Sequence, residues 1–355
     1  MERKVVVTGG SGYLGSCVTR ALLDAGDHVR VLDPELFGSG LKELEGDPRL
    51  QILRGDVRSV ADLARVARGA DAIIHLAAVV GDAACRLDPD YTWTTNVEAT
   101  KLVVDVCRRF EIPRLVFAST CSVYGAADDL VLNEGSVQRP VSLYARSKIE
   151  SEAICLGAEI PSVSCMRMAT LYGLSPRMRF DLVVNIMTAR AVQDRTVTVF
   201  GGAQWRPLVH VADAAAAFVL ALDAPVDLVG GQVFNVGSDE QNFRIIDLAK
   251  RVADATGGAK IDTREPSTED LRNYRVSFAK IAHHLGYRTS RTVEHATAEI
   301  GRYLTTQGVD YRDDRFHNHR YTYSIDPGDP PLARAFLRAS DEQMSPRAPM
   351  PTPKT

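Results

Sequence analysis

The hydropathy of the first 120 residues restricts the fold before any motif is considered. KVVVT, HVRVLD, LQILR, AIIHLAA and RLVFAST are strand-length runs, and KVVVT and AIIHLAA are apolar at consecutive positions, not alternate ones. A strand with no polar face needs cover on both sides, and parallel strands joined by helices supply it. Between these runs lie stretches of helical period: YLGSCVTRALLDAG with a stop at Gly26, VADLARVARGA and NVEATKLVVDVCRRF. Repeated βα units of this length imply right-handed crossovers and an open, doubly wound parallel sheet.

After YARSKIESEAICLGAE the pattern predicts one more strand, VSCMRMATLYG, and then becomes mixed. RFDLVVNIMTARAV and VADAAAAFVLALDA read as helices, VTVFGG and QVFNVGS as strands. NFRIIDLAKRVADATG reads as a helix capped by Asn242. The expected organisation is a sheet domain over residues 1–172 and a smaller α/β substrate domain over 173–325, the two interleaved. Segments near 203–236 are expected to return to the first domain. Residues 326–355 hold seven of the seventeen prolines and are expected to be disordered.

The 355 residues are 45% hydrophobic, enough for a large core, and carry a net charge of −3 with both signs scattered. That balance argues against nucleic acid as a partner. No run reaches the roughly 18–20 apolar residues of a membrane span, and the start lacks a signal-peptide stretch. Cys17, Cys85, Cys107, Cys121, Cys155 and Cys165 show no CxxC pairing; they read as reduced thiols of a cytoplasmic protein without a metal centre.

TGGSGYLGS places Gly9, Gly12 and Gly15 three residues apart between the first strand and the first helix. Glycines there let the backbone turn tightly and approach a pyrophosphate, which rests on the positive end of the helix. A strand before and a helix after are the context this motif requires. The second strand ends in Asp33, eighteen residues beyond Gly15. A carboxylate there accepts from both ribose hydroxyls and repels a 2′-phosphate, which favours NAD over NADP; its structural alternative is a turn cap before Pro34. Asp56 and Val57, in GDV, follow the third strand and face the adenine. Leu76, Ala77 and Ala78, in HLAA, let a cofactor pass closely, whereas His75 reads as a strand-end histidine. The fold class is therefore a Rossmann-type doubly wound sheet with a smaller, interleaved C-terminal domain.

The carboxyl end of the fifth strand carries STCSVYG, and YARSK follows at the start of a helix. Tyr144 and Lys148 are one turn apart on one helix face. A neighbouring ammonium and a positive cofactor ring favour phenolate, so that Tyr144 takes or returns a hydroxyl proton. Thr120 holds the same substrate oxygen.

The ordered set TGGSGYLGS, Asp33, GDV, HLAA, TNVEAT, STCSVYG, YARSK, MRMATLYG and RPLVHVAD resembles the extended short-chain dehydrogenases/reductases, specifically the NAD-dependent nucleotide-sugar epimerase/dehydratase family, over about residues 3–305. The resemblance implies Thr120, Tyr144 and Lys148 as catalytic residues. It implies NAD contacts from the residues above, from Tyr13, Leu14, Asn96 and Ser119, and from Tyr144 and Lys148. Ser122, Thr170, Arg179, Arg206 and Arg272 fall where a nucleoside-diphosphate sugar is held, and a forked guanidinium suits its phosphates. Homodimers through a four-helix bundle that includes the Tyr144 helix are also implied. One departure bears on chemistry. The family's 4,6-dehydratases carry Asp and Glu after the catalytic Thr, and this chain has Cys121 and Ser122. In many 4-epimerases an Asn stands three residues after the sixth-strand Arg; here Thr170 follows Arg167, with Arg177 and Arg179 as possible compensation. The expected activity is epimerisation of a nucleotide sugar at C4 through a transient keto sugar. The alternatives are an NAD(P)H-dependent ketoreductase of a nucleotide-linked keto-sugar in deoxysugar or natural-product biosynthesis, and a non-catalytic NAD-binding protein.

Overall fold

The computed structural model describes residues 2–266 and 272–319, with backbone alone at 127–130. The proline-rich segment read as a tail lies outside the described residues.

The strands are β1 Lys4–Thr8, β2 His28–Asp33, β3 Leu50–Arg54, β4 Ala72–His75, β5 Arg114–Thr120, β6 Ala126–Leu132, β7 Ser162–Met168, β8 Thr170–Tyr172, β9 Thr196–Phe200, β10 Trp205–His210, β11 Gln232–Val236, β12 Asn242–Arg244, β13 Lys260–Arg264 and β14 Asn273–Val276. The helices are α1 Tyr13–Asp24, α2 Val60–Ala67, α3 Asp82–Leu87, α4 Pro89–Trp93, α5 Ala99–Arg109, α6 Leu143–Leu156, α7 Val183–Gln193, α8 Val211–Asp223, α9 Val226–Val229, α10 Ile245–Ala255, α11 Ala279–Leu285 and α12 Val293–Gln307.

Seven parallel strands form the central sheet in the order β11-β7-β5-β4-β1-β2-β3. Apolar runs on both faces are explained by where the side chains go. Val5, Val7, Ile74 and Val116 pack with Val18 and Leu22 of α1 and with Phe218 of α8. Val6, Ile73, Leu115 and Phe117 pack with Leu63 of α2, Val103 of α5 and Cys155 of α6. The chain runs from β1 to β2 on one side and reaches β4 on the other, so a crevice opens at the carboxyl ends beside β1.

A second core joins α7, α10 and α12 to β9 through Met187, Leu248, Ile300 and Val199. The sequence stretch expected to be one strand divides at Ala169: β7 belongs to the central sheet, while β8 pairs with β10 in a separate three-stranded sheet. Of the segments expected to return, β11 joins the central sheet and α8 packs on it, but β10 does not. Asn242 does not cap a helix. It lies in β12, the helix begins at Ile245, and the Asn242 amide accepts from and donates to the Val276 backbone at 2.9 Å each, fastening β14. The capping residue types also serve as side-chain mimics of a backbone pair, and the tertiary partner decided between the two uses.

All six cysteines are free thiols. Among the described residues there is no cluster of metal-binding side chains, and no helix is long and apolar enough to cross a membrane.

Candidate active site

A single cavity runs along the carboxyl ends of β1, β2, β4 and β5 and beneath the loop after β8. At one end, Gly9, Gly12 and Gly15 form the turn into α1. Gly9 holds φ +75°, and a Cβ on it would stand 2.8 Å from the Ala77 nitrogen. A Cβ on Gly15 would stand 2.0 Å from the Gly9 carbonyl oxygen, so the helix can seat against the turn only at a glycine. Gly12 caps α1 with no side-chain cap, and the first turn of α1 carries no acid. The helix N–H groups are thus left for an outside anion.

Asp33 closes this end of the cavity. Its carboxylate accepts from the Ser11 N–H at 3.0 Å and the Glu35 N–H at 2.7 Å, and burial pushes its pKa up to about 6. The carboxylate is held in place by two backbone donors that engage one lone pair on each oxygen, leaving capacity for ribose hydroxyls. Leu14, Asp56, Val57, Leu76, Ala77 and Ala78 line the same end. Asp56 is locked by a 2.7 Å ion pair with Arg58. This donor set fits a dinucleotide with a free 2′-hydroxyl.

The reacting end is built by β5 and α6. Ser142 caps α6, its hydroxyl accepting from the Ala145 N–H at 3.2 Å. Tyr144 and Lys148 then lie one turn apart, and both line the cavity with Thr120 and Ser119. The Thr120 hydroxyl accepts from the Ser122 N–H at 3.1 Å and faces the same cavity as Tyr144. Lys148 is 3% exposed, donates to the Ala118 carbonyl at 2.8 Å and stands 4.7 Å above the Phe117 ring. Burial draws its pKa down to about 8. Burial pushes the Tyr144 phenol well above its usual range, and the Arg179 guanidinium opposes that shift. The cation that acts on the phenol is thus Arg179, while the Lys148 ammonium is engaged by the Ala118 carbonyl.

Ser119 donates to the Glu152 carboxylate, which takes Arg167 at 2.9 and 2.7 Å; Arg167 also donates to the Tyr124 hydroxyl at 2.9 Å. This buried pair ties α6 to β5 and β7 directly beneath Thr120. His75 lies outside the cavity lining. Burial draws its pKa down to about 3, and its ring nitrogens meet Thr8 at 2.7 Å and Thr100 at 3.1 Å.

Several residues expected to bind directly have other positions. Asn96 does not line the cavity. It accepts from the Val79 N–H at 2.8 Å and donates to the Val79 carbonyl and the Ser147 hydroxyl at 3.0 Å each, fixing the chain after β4 to α6. Tyr13 lines the cavity, yet its hydroxyl donates to the Gly173 carbonyl at 2.6 Å and so joins the glycine turn to the second lobe. Arg206 also stands outside the lining. It donates to the Trp205 carbonyl at 2.8 Å and to the Arg272 carbonyl, so it supports the arginine that does line the cavity. Arg272 stands 3.8 Å from Asp82. Ser122, Thr170 and Arg179 line the cavity as expected, and Arg177 does so while stacking 4.7 Å above Phe37. Cys121 is fully buried, its thiol aimed at the Arg167 carbonyl 3.2 Å away.

Sequence reasoning missed Tyr274 and Asn318. Tyr274, in β14, is 2% exposed and lines the cavity with Ser122. Its alternation in NYRV marks a half-buried strand but gives no hint of what the strand faces.

The fold and the glycine turn define a dinucleotide-binding protein whose cavity is also lined by Tyr144 and Lys148. Comparison with known proteins makes this specific. The family model "NAD dependent epimerase/dehydratase family" matches residues 5–237, and the chain belongs to that family. An uncharacterized UDP-glucose epimerase of Bacillus subtilis, YtcB, is 30% identical over 72% of this chain and 82% of its own. A UDP-glucose 4-epimerase of Corynebacterium glutamicum is 28% identical over 72% and 80%. The crystal structure of DesIV, a dTDP-glucose 4,6-dehydratase from Streptomyces venezuelae with NAD and TYD bound, superposes with TM-score 0.77 at 27% identity, covering 85% of this chain and 97% of that one. The protein is accordingly an NAD-dependent enzyme of the epimerase/dehydratase group.

Proposed function

We propose that the protein epimerises a nucleoside-diphosphate sugar at C4. The observation that carries this reading is the composition of the cavity wall. Thr120, Tyr144 and Lys148 line it, while the only carboxylates lining it among the described residues, Asp33 and Asp56, stand with the cofactor-binding loops. Elimination of water needs an acid and a base beside the sugar, and the position after Thr120 is a buried thiol facing away. Dehydration is therefore disfavoured even though DesIV shares the fold.

NAD, when bound along the glycine turn and Asp33, supplies the hydride acceptor and donor. The chain's own residues handle the proton and the pose. The Tyr144 oxygen takes the sugar hydroxyl proton and later returns it. Thr120 hydrogen-bonds the same oxygen and keeps it in line. Arg179 opposes the burial that pushes the phenol up, and Lys148 is held on the Ala118 carbonyl one helical turn away. Ser122, Thr170, Arg179 and Arg272 hold the sugar nucleotide, with Arg206 and Asn96 as positioning residues. Assembly as a cytoplasmic homodimer through α5 and α6 belongs to the same proposal.

The test is to incubate purified protein with UDP-glucose, UDP-glucuronate and dTDP-glucose and resolve products by NMR, after denaturing a sample to identify released cofactor. A 4-epimer formed without net NADH change is expected. Net NADH consumption by a 4-keto sugar would make it a ketoreductase, and a 4-keto-6-deoxy product a dehydratase. NAD without any turnover would leave a binding protein.

A further inference from the structure

We propose that Asn318, carried by the segment that follows α12, is a specificity-determining residue whose amide hydrogen-bonds a hydroxyl of the sugar ring. The inference rests on the nucleotide-sugar reading above and adds a wall that no sequence motif supplies.

The segment is anchored over several contacts before it reaches the cavity. The Tyr311 hydroxyl donates to Asp194 at 2.6 Å, and its ring packs edge-on against Phe180. Phe316 is 7% exposed, meets the same Phe180 ring at 5.3 Å, and its carbonyl accepts from the Phe180 N–H at 2.9 Å. The buried His317 ring nitrogen meets the Tyr311 carbonyl at 2.7 Å. These contacts fix the backbone that leads into Asn318. Its own N–H donates to Asp181 at 3.3 Å, and its side chain lines the cavity at 6% residue exposure.

Asp181 is the hinge of the argument. It holds Arg179 along one guanidinium edge, at 2.8 and 3.0 Å, while it accepts from Asn318. Asn318, Asp181 and Arg179 are therefore one connected unit, of which Asn318 and Arg179 line the cavity together with Tyr144. Arg179 lines the cavity with Tyr144 and its charge acts on that phenol, so this wall borders the Tyr144 end of the cavity. A carboxamide both donates and accepts, the pairing a sugar hydroxyl offers, whereas a phosphate offers only acceptors. A site built to hydrogen-bond a hydroxyl rejects ligands that lack it.

The test compares Asn318→Ala and the isosteric Asn318→Asp with the wild-type chain, each checked for NAD released on denaturation. Affinities are measured by calorimetry for UDP-glucose and UDP, and for dTDP-glucose and dTDP. The expected result is about tenfold weaker binding of the sugar nucleotide by Asn318→Ala, with the sugar-free diphosphate within about twofold and NAD content unchanged. Asn318→Asp, which adds a carboxylate beside Asp181, is expected to weaken UDP-glucuronate more than UDP-glucose. Equal weakening of diphosphate and sugar nucleotide would place Asn318 at the nucleotide and overturn the inference. Loss of NAD, or no change at all, would overturn it too. If the wild-type chain binds none of these probes, the nucleotide-sugar reading itself fails and takes this inference with it.

Discussion

The Lys148 ammonium and the Ala118 carbonyl are joined at 2.8 Å, so the cation one turn beyond Tyr144 is held on the backbone of β5 and not in solvent. The same strand ends two residues later at Thr120, which lines the cavity with Tyr144. Strand and helix therefore bring three side chains to one cavity. Such positioning is what proton transfer between heavy atoms requires.

Removing the phenol oxygen should remove the chemistry and little else. Tyr144→Phe is expected to lower kcat by about 10²–10⁴-fold. The NAD content of the purified variant and its melting temperature should stay near wild type. Retained turnover would exclude Tyr144 as the acid/base.

Lys148 carries a pH signature in stability. Its pKa in the folded chain is drawn down to about 8 from 10.5, so between those values the unfolded chain binds more protons. Stability of the wild-type chain relative to Lys148→Met should accordingly rise as pH climbs from about 8 towards 10.5, by up to about 3 kcal/mol. Urea unfolding at pH 7.5 and 9.5 reads the slope, and a flat or falling difference would contradict the burial argument.

Asp33 has the opposite sign. Its pKa is raised to about 6 from 3.8, so the folded chain holds a proton the unfolded chain has lost, and wild type loses stability relative to Asp33→Asn as pH rises through about 4 to 6. NAD binding should weaken as pH falls through about 6, because a protonated carboxyl no longer accepts two ribose hydrogen bonds. Asp33→Asn should abolish that dependence and narrow the preference for NAD over NADP, as read by calorimetry with both coenzymes.

The buried pair beneath the site is structural. Glu152 and Arg167 have side chains only 4% and 5% exposed, and they bond through two contacts. Glu152→Ala leaves a guanidinium buried without its carboxylate and should cost about 3–5 kcal/mol in chemical denaturation. A loss below about 1 kcal/mol would mean that water or Tyr124 already satisfies Arg167.

Gly15→Ala should fail to hold NAD. Its Cβ would meet backbone at 2.0 Å, which no rotamer relieves, so α1 must shift away from the turn. Gel filtration and released-cofactor assays check this, and a variant that copurifies with full NAD would refute the close-packed turn.

Chain order and local chemistry were enough for the sheet, for the glycine turn and for placing Asp33, Thr120, Tyr144 and Lys148 along one cavity. Strands apolar on both faces have one economical arrangement, and each of these site residues sits at a strand end or helix start that the arrangement brings to one crevice. The division at Ala169, the use of Asn242 to fasten β14 and the withdrawal of Asn96 and Arg206 from the cavity wall were not legible. Each depends on a partner far along the chain, from Val79 to Ser147 and from Arg272 to Val276. Asn318 and Tyr274 reach the cavity only because Phe316 packs on Phe180 and β14 pairs with β6. Periodicity records which face of an element is buried, whereas the identity of what covers it is set by packing between elements. For that reason the amino-acid sequence by itself determined the nucleotide fold and the strand-end and helix-start residues that face its crevice, and the tertiary structure alone decided which further side chains wall the cavity.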